Sequence, residues 1–161
     1  MKNSHLLYIL IFIVFYYSCT PYSKKEEIID RMLSIIEENV DEQLIEDNEK
    51  QVFLFIADEM CSECIIKEFQ NIKSESITVN VIGYFKDRRN FVSSTNRDFI
   101  MNRIFIDRNR LDGYRLPVQP VYFIYNKNTN TISDIFYPLP TEEAKTFSYF
   151  QKIKDKMIQN E

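Results

Sequence analysis

The amino-acid sequence predicts an α/β fold in which a mixed sheet is flanked by helices. Residues 51–85 contain two apolar stretches of strand length with an amphipathic stretch between them, the pattern of a β–α–β unit. Residues 121–137 contain two further strand-like stretches separated by a polar turn, which predicts a hairpin. Segments with helical spacing lie on both sides of this region. Parallel strands from the first unit and antiparallel strands from the hairpin make the sheet mixed.

The first half of the predicted domain contains two helices and two strands. Apolar residues recur at helical spacing over 26–38, and a face that packs on the core is a simpler interpretation than a partner-binding helix. Residues 51–57 (QVFLFIA) form a continuous apolar run, which predicts a strand buried on both faces. A helix over 61–73 and a second buried strand over 77–85 follow. This order implies a parallel pair with a right-handed crossover.

The second half is predicted to contain a variable segment, a hairpin and a final helix. A helix is expected over 90–101 and a short strand over 103–107. Strands over 121–125 and 131–137 flank the turn sequence NKNTN. The last helix is expected over 141–158, with a favourable N-cap residue at its start. Its predicted core-facing residues are Phe147, Phe150, Ile153 and Met157.

The N-terminus has the features of an export signal. Leu6–Tyr17 is an apolar run of twelve residues, whereas a helix that spans a bilayer needs about 20. A short uncleaved anchor is the alternative. Ser18-Cys19 after this run resembles a bacterial lipoprotein signal, in which the cysteine is lipidated and becomes the mature N-terminus. This resemblance implies a signal peptide over 1–18, a lipidated Cys19 with a tether to residue 25, and one domain over 26–161.

The composition excludes several kinds of function. The chain has one histidine, His5, which lies in the leader, so the domain cannot use Ser–His–Asp or Cys–His catalysis. Two glycines are too few for a glycine-rich phosphate-binding loop. The net charge of −4 disfavours a nucleic-acid partner, because such proteins present a basic face. We therefore expect no metal, no cofactor and no nucleic acid.

The chemistry of the domain is expected to reside in Cys61 and Cys64. Three cysteines are an odd number for an exported protein, and lipidation of Cys19 leaves one pair. Cys61 falls at the predicted helix start, where unpaired N–H groups and the helix dipole favour a thiolate. Cys64 lies on the same helix face and is expected to resolve a mixed disulfide at Cys61. The negative charges of Glu63 and of nearby Glu59 oppose thiolate formation, which favours a reductase over an oxidase.

The order helix, strand, CxxC helix, strand, variable segment, proline, hairpin and helix resembles the thioredoxin fold. The stretch IFIDRNRLDGYRLPVQPVYFIYN more specifically resembles membrane-anchored extracytoplasmic thioredoxin-like reductases, including those used in cytochrome maturation. These proteins carry an insertion between the second strand and a cis-proline loop. The resemblance covers about residues 26–158.

The resemblance implies roles for several residues and a set of partners. Pro120 would be the cis-proline that faces the cysteine pair, and Gln119 would present its backbone to an extended substrate. Met60, Ser62 and Glu63 would line the substrate site. The expected partners are exported disulfide-containing proteins, a membrane thiol electron donor and the lipid bilayer. The expected location is the bacterial cell envelope, facing the periplasm or the cell exterior.

The sequence departs from the thioredoxin pattern at several of these positions. Met60 replaces the usual tryptophan, Gln119 replaces a β-branched residue, and Phe55 stands where thioredoxin has a buried acid. A proton acceptor for the second cysteine would then have to come from elsewhere, and Asp58 or Glu59, acting through water, are candidates. The alternatives are a structural or idle cysteine pair, and a thioredoxin-fold lipoprotein that acts as a binding module without turnover. A peroxiredoxin is disfavoured, because FIADEM before the first cysteine has neither Pro nor Thr or Ser.

Overall fold

A computed structural model describes residues 24–39, 50–110, 117 and 119–158 of the chain. The predicted signal peptide and Cys19 lie outside these residues, as does the tether up to residue 23.

The described residues contain four helices, five strands and one short 3₁₀ turn. The helices are α1 (Lys24–Asn39), α2 (Ser62–Ser74), α3 (Arg88–Thr95) and α4 (Glu143–Ile158). The strands are β1 (Lys50–Ala57), β2 (Val79–Phe85), β3 (Ile100–Asp107), β4 (Val121–Asn126) and β5 (Thr131–Phe136). The 3₁₀ turn is Arg108–Arg110, directly after β3.

The five strands form one mixed sheet in the order β3-β2-β1-β4-β5. β1 and β2 pair in parallel, as do β2 and β3, whereas β4 is antiparallel to both β1 and β5. The predicted α/β class with a mixed sheet flanked by helices is therefore confirmed. Because β1, β2 and β3 run in parallel, their carboxyl ends meet at one edge of the sheet.

The central strands hold the core together, as their unbroken apolar runs predicted. Leu54 pairs with Val81 and Phe53 pairs with Phe123, and all four side chains are buried. The Phe53 and Phe123 rings stack with their centroids 5.4 Å apart. Burial of each such side chain contributes about 1.5–3 kcal/mol to folding, so β1 is anchored from both sides where it leads into the cysteine loop.

Helix α3 packs on β2 through one close contact. The Phe91 ring lies over Gly83, where an added Cβ would stand 2.1 Å from Cε2 of the ring. Phe85 and Phe105 surround the same ring, with centroids 5.5 Å and 5.9 Å away. Glycine is therefore required here because of the close approach of an aromatic side chain.

Two predictions for the variable segment and the last helix were wrong in detail. The helix expected over 90–101 ends at Thr95, and β3 already begins at Ile100, because residues 100–107 pair with β2 along their length. Helix α4 begins at Glu143, one position later than expected from an N-cap at Thr141, since the N–H groups of residues 145 and 146 donate to the carbonyl oxygen of residue 142.

The core-facing side of α4 also differs at one position. Phe147 was expected to face the core but is 54% exposed, and Tyr149 is buried instead. Phe150 and Ile153 are buried as expected. Tyr149 stacks on Phe136 of β5 at 4.5 Å between ring centroids, which turns Phe147 outward.

Candidate redox site

The first cysteine stands where β1 passes into α2. Cys61 is the N-cap residue of α2, with an exposed side chain, four residues after the end of β1. Its Sγ accepts a hydrogen bond from the backbone N–H of Cys64 at 3.3 Å. The predicted placement at the helix start is therefore confirmed. An N–H that points at the sulfur favours the negatively charged thiolate.

The second cysteine lies one turn further along α2 and is half-buried. Both thiols are free in the structure. The hydrogen bond with Cys64 lowers the pKa of the Cys61 thiol below its ordinary value, and the charge of Glu63 opposes this weakly. The same hydrogen bond, together with burial, raises the pKa of the Cys64 thiol. The two thiols are therefore unequal, because the lowered pKa favours the thiolate at Cys61 and the raised pKa favours the protonated thiol at Cys64.

The residues next to Cys61 divide into exposed and buried ones. Ser62 and Glu63 are exposed in the first turn of α2. Met60 is buried, and its Sδ accepts a hydrogen bond from the N–H of Ala57 at 3.2 Å. Met60 and Ser62 also line a cavity of about 390 Å³ that continues along α2 past Ile66. Their roles in binding a substrate stay predictions.

The two acids before Cys61 are engaged elsewhere. Asp58 bonds to Arg108, with Nη1 and Oδ1 2.8 Å apart, and also accepts a hydrogen bond from the backbone N–H of Lys86 at 2.9 Å. Glu59 bonds to the other terminal nitrogen of the same guanidinium. No contact of Asp58 or Glu59 with Cys64 is found among the described residues, so their role as acceptors of the Cys64 proton stays a prediction.

The sequence analysis missed a buried acid on the cysteine helix. Glu68 is 4% exposed and accepts a hydrogen bond from the Tyr122 hydroxyl at 3.0 Å. Burial raises the pKa of Glu68 above its ordinary value. Glu68 lies four residues after Cys64, on the face of α2 that includes buried Ile65 and Ile72. This interruption of an apolar stripe was the signal that could have identified it.

Pro120 and Gln119 lie at the same edge of the sheet as the cysteine loop. Val121 pairs with Phe55, so the buried Pro120 precedes β4 beside the end of β1. No peptide bond is cis within the described residues, so the Gln119–Pro120 bond is trans and the predicted cis-proline is wrong. The trans form is favoured for X–Pro bonds by about 0.5–1 kcal/mol. After this trans bond the chain continues directly into β4, which begins at Val121. Gln119 is half-buried.

Other kinds of site are not found in the described ranges. Residues 24–39, 50–110 and 119–158 contain no group of three or more His, Cys, Asp or Glu placed to hold a metal ion. None of the helices described combines the length and apolarity needed to cross a bilayer.

No protein-family model matches the chain, and no curated protein sequence matches it.

Proposed function

We propose that the chain is a thioredoxin-like protein that reduces disulfides of exported proteins through Cys61 and Cys64. The observation that carries this proposal is the hydrogen bond from the Cys64 N–H to the exposed Cys61 sulfur at the start of α2. The strand that precedes the pair and the proline loop at the same sheet edge support a thioredoxin-like fold. The mixed sheet with its flanking helices is compatible with it.

The reaction is a two-step thiol–disulfide exchange. The Cys61 thiolate attacks one sulfur of a substrate disulfide, the substrate S–S bond breaks, and the leaving sulfur takes up a proton. Cys64 then loses its proton and attacks the Cys61 sulfur of the mixed disulfide. The second substrate thiol leaves, two electrons have passed to the substrate, and a Cys61–Cys64 disulfide remains. A membrane thiol donor returns two electrons to that disulfide.

The unequal thiols suit the order of these steps. A low pKa at Cys61 supplies the attacking thiolate, and a raised pKa at Cys64 keeps the second thiol protonated until the mixed disulfide forms. Asp58 and Glu59 are both paired with Arg108, so the Cys64 proton can pass instead to water or to the departing substrate thiolate. The charge of Glu63 opposes the Cys61 thiolate, and a less stabilised thiolate favours reduction of partners over their oxidation.

Trapping of partners tests this proposal. Cys64→Ala should accumulate mixed disulfides with exported cysteine-containing proteins, because the bond to Cys61 can no longer be resolved. The matched controls are Cys61→Ala and the double variant, which should give no adducts. Adducts that form equally well on Cys64 in the Cys61→Ala variant would contradict the assigned order of the two thiols.

The alternative function is a binding module without turnover. The trans Gln119–Pro120 bond favours it, because the expected redox proteins use a cis-proline at this place. A protein of this kind would retain partners without a covalent link. Partners that co-purify equally with wild type and with the Cys61→Ala, Cys64→Ala variant would support it.

We further propose that the protein is anchored in the bacterial cell envelope by a lipid on Cys19. The apolar run before Ser18-Cys19 is too short to span a bilayer, and one acyl chain alone gives only reversible binding, so two or more chains are expected. The intact mass of the membrane-extracted protein should lack residues 1–18 and include acyl groups on Cys19. An unmodified Cys19, or a retained Met1, would contradict this.

A further inference from the structure

One arginine connects the end of β3 to the loop that carries the first cysteine. Arg108 follows β3 directly, at the edge where the three parallel strands end. Its guanidinium contacts the carboxylates of both Asp58 and Glu59, which lie three and two positions before Cys61, respectively. These contacts join residues that are 50 and 49 positions apart in the chain.

We propose that Arg108 is a positioning residue for the Cys61 thiol. Its guanidinium holds the two carboxylates that precede Cys61 and offsets their charge, so that the thiolate forms beside a compensated cluster instead of beside two free anions. The proposal rests on the proposed function only in taking Cys61 as the attacking thiol.

The cluster is held in place from several sides. The Arg108 and Asp58 side chains are 22% and 23% exposed, so this ion pair is more than an isolated surface contact. The backbone N–H of Lys86 fixes the second oxygen of Asp58, and the Arg108 Cζ lies 6.0 Å above the centre of the Tyr84 ring. A planar guanidinium can bind two carboxylates at once in a fixed geometry, whereas a lysine ammonium is a point charge that fixes their positions less well.

Within the described residues, charged groups other than Arg108 stand on three segments near the cysteine loop. Glu63 stands in the first turn of α2 and raises the pKa of Cys61, opposing the helix end. Lys86 follows β2, and Arg97, between α3 and β3, lines the same cavity as Ser62 and Asp58. These groups stay unchanged in the variants below. A change in the titration of Cys61 therefore reports the loss of the arginine and not a change in its other neighbours.

The test is the pH dependence of Cys61 alkylation in the reduced full-length protein, followed by peptide mapping. Arg108→Gln should raise the pKa of Cys61 by about half a unit or more, so that alkylation at pH 7 slows about threefold. Arg108→Lys should retain most of the wild-type rate, because the charge remains. The matched control is Lys127→Gln, which removes one positive charge after β4, at the opposite edge of the sheet, and should leave the titration unchanged.

Charge rescue separates this role from a merely structural one. Glu59 is 68% exposed, so Glu59→Gln should fold normally, and in the Arg108→Gln background it should return the Cys61 titration toward the wild-type curve. Alone, Glu59→Gln should lower the pKa of Cys61, because Arg108 then has one carboxylate partner fewer. An unchanged titration in Glu59→Gln, or in a folded Arg108→Gln variant, would overturn the proposal. Absence of disulfide turnover by the wild type would instead count against the proposed function and leave this titration result intact.

Discussion

Replacement of Tyr122 by phenylalanine should destabilise the protein although it removes only one oxygen atom. The Tyr122 ring is fully buried against Tyr149 and Phe150, with centroids 5.9 Å and 5.2 Å away, and phenylalanine retains these contacts. The hydroxyl, however, donates to Glu68, whose carboxylate has only one other described partner, Asn71 Nδ2, at 3.4 Å from each oxygen. The variant therefore leaves a buried carboxyl group poorly satisfied.

The expected cost is about 1–3 kcal/mol, the range for a buried polar group that loses its partner. We expect the upper half of this range, because contacts of 3.4 Å are at the long limit of hydrogen bonding. The matched double variant is Tyr122→Phe with Glu68→Leu, which removes both polar partners together. It should be more stable than Tyr122→Phe alone, since replacement of both partners by apolar groups is nearly neutral.

The loss of stability caused by Tyr122→Phe should also depend on pH. Burial raises the pKa of Glu68 above its ordinary value of 4.5, and the Tyr122 hydrogen bond counteracts this. When the pKa of an acid is higher in the folded than in the unfolded state, its contribution to stability is fully present at pH values below the unfolded-state pKa. The contribution is lost as pH rises through the folded-state pKa. Without the hydroxyl the pKa of Glu68 rises further. The Tyr122→Phe penalty should therefore be larger at pH 8 than at pH 5.

Urea denaturation of the reduced protein at these two pH values measures both effects. Glu68→Gln should lessen the fall in stability between pH 5 and pH 8, because the group that titrates is gone. Equal stability of wild type and Tyr122→Phe at both pH values would refute the reasoning. So would a double variant less stable than the single one.

Three further predictions concern other parts of the chain. Gly83→Ala should destabilise the fold by about 1–3 kcal/mol, because its Cβ meets the Phe91 ring at 2.1 Å. Phe91→Leu should relieve much of this loss in the double variant, and a double variant whose urea midpoint falls by the sum of the two single shifts would contradict the contact. Brief substoichiometric alkylation should label Cys61 before Cys64, and peptide mapping that finds equal labelling would count against unequal thiols. Cys19→Ser should release the protein from the membrane fraction, and unchanged sedimentation with the membrane would argue against a lipid anchor.

The central elements could be predicted because their signals are local. Residues 51–57 form an unbroken apolar run, and β1 is buried along nearly all of it. The turn chemistry of residues 126–130 identified the hairpin, which the structure has between β4 and β5. The position of Cys61 at a helix start followed from the end of one apolar run and the beginning of helical spacing.

The rest depended on contacts between distant parts of the chain. A helix was expected to continue to residue 101, but pairing with β2 places residues 100–107 in β3. The contact between Arg108 and Asp58 joins residues 50 positions apart, so no local pattern reveals it. Glu68 was different, because its place within the apolar stripe of α2 is visible in the sequence once the helix is assigned.

The reduction potential of the Cys61–Cys64 couple tests the central claim most directly. It is measured by equilibrating the full-length protein with thiol–disulfide buffers of known potential and quantifying the free thiols. A reductase should give a value nearer to thioredoxin, roughly −270 mV, than to a strong oxidase, roughly −120 mV. A value near the oxidase end would reverse the proposed direction of electron flow, and a pair that never forms a disulfide would contradict a redox function altogether.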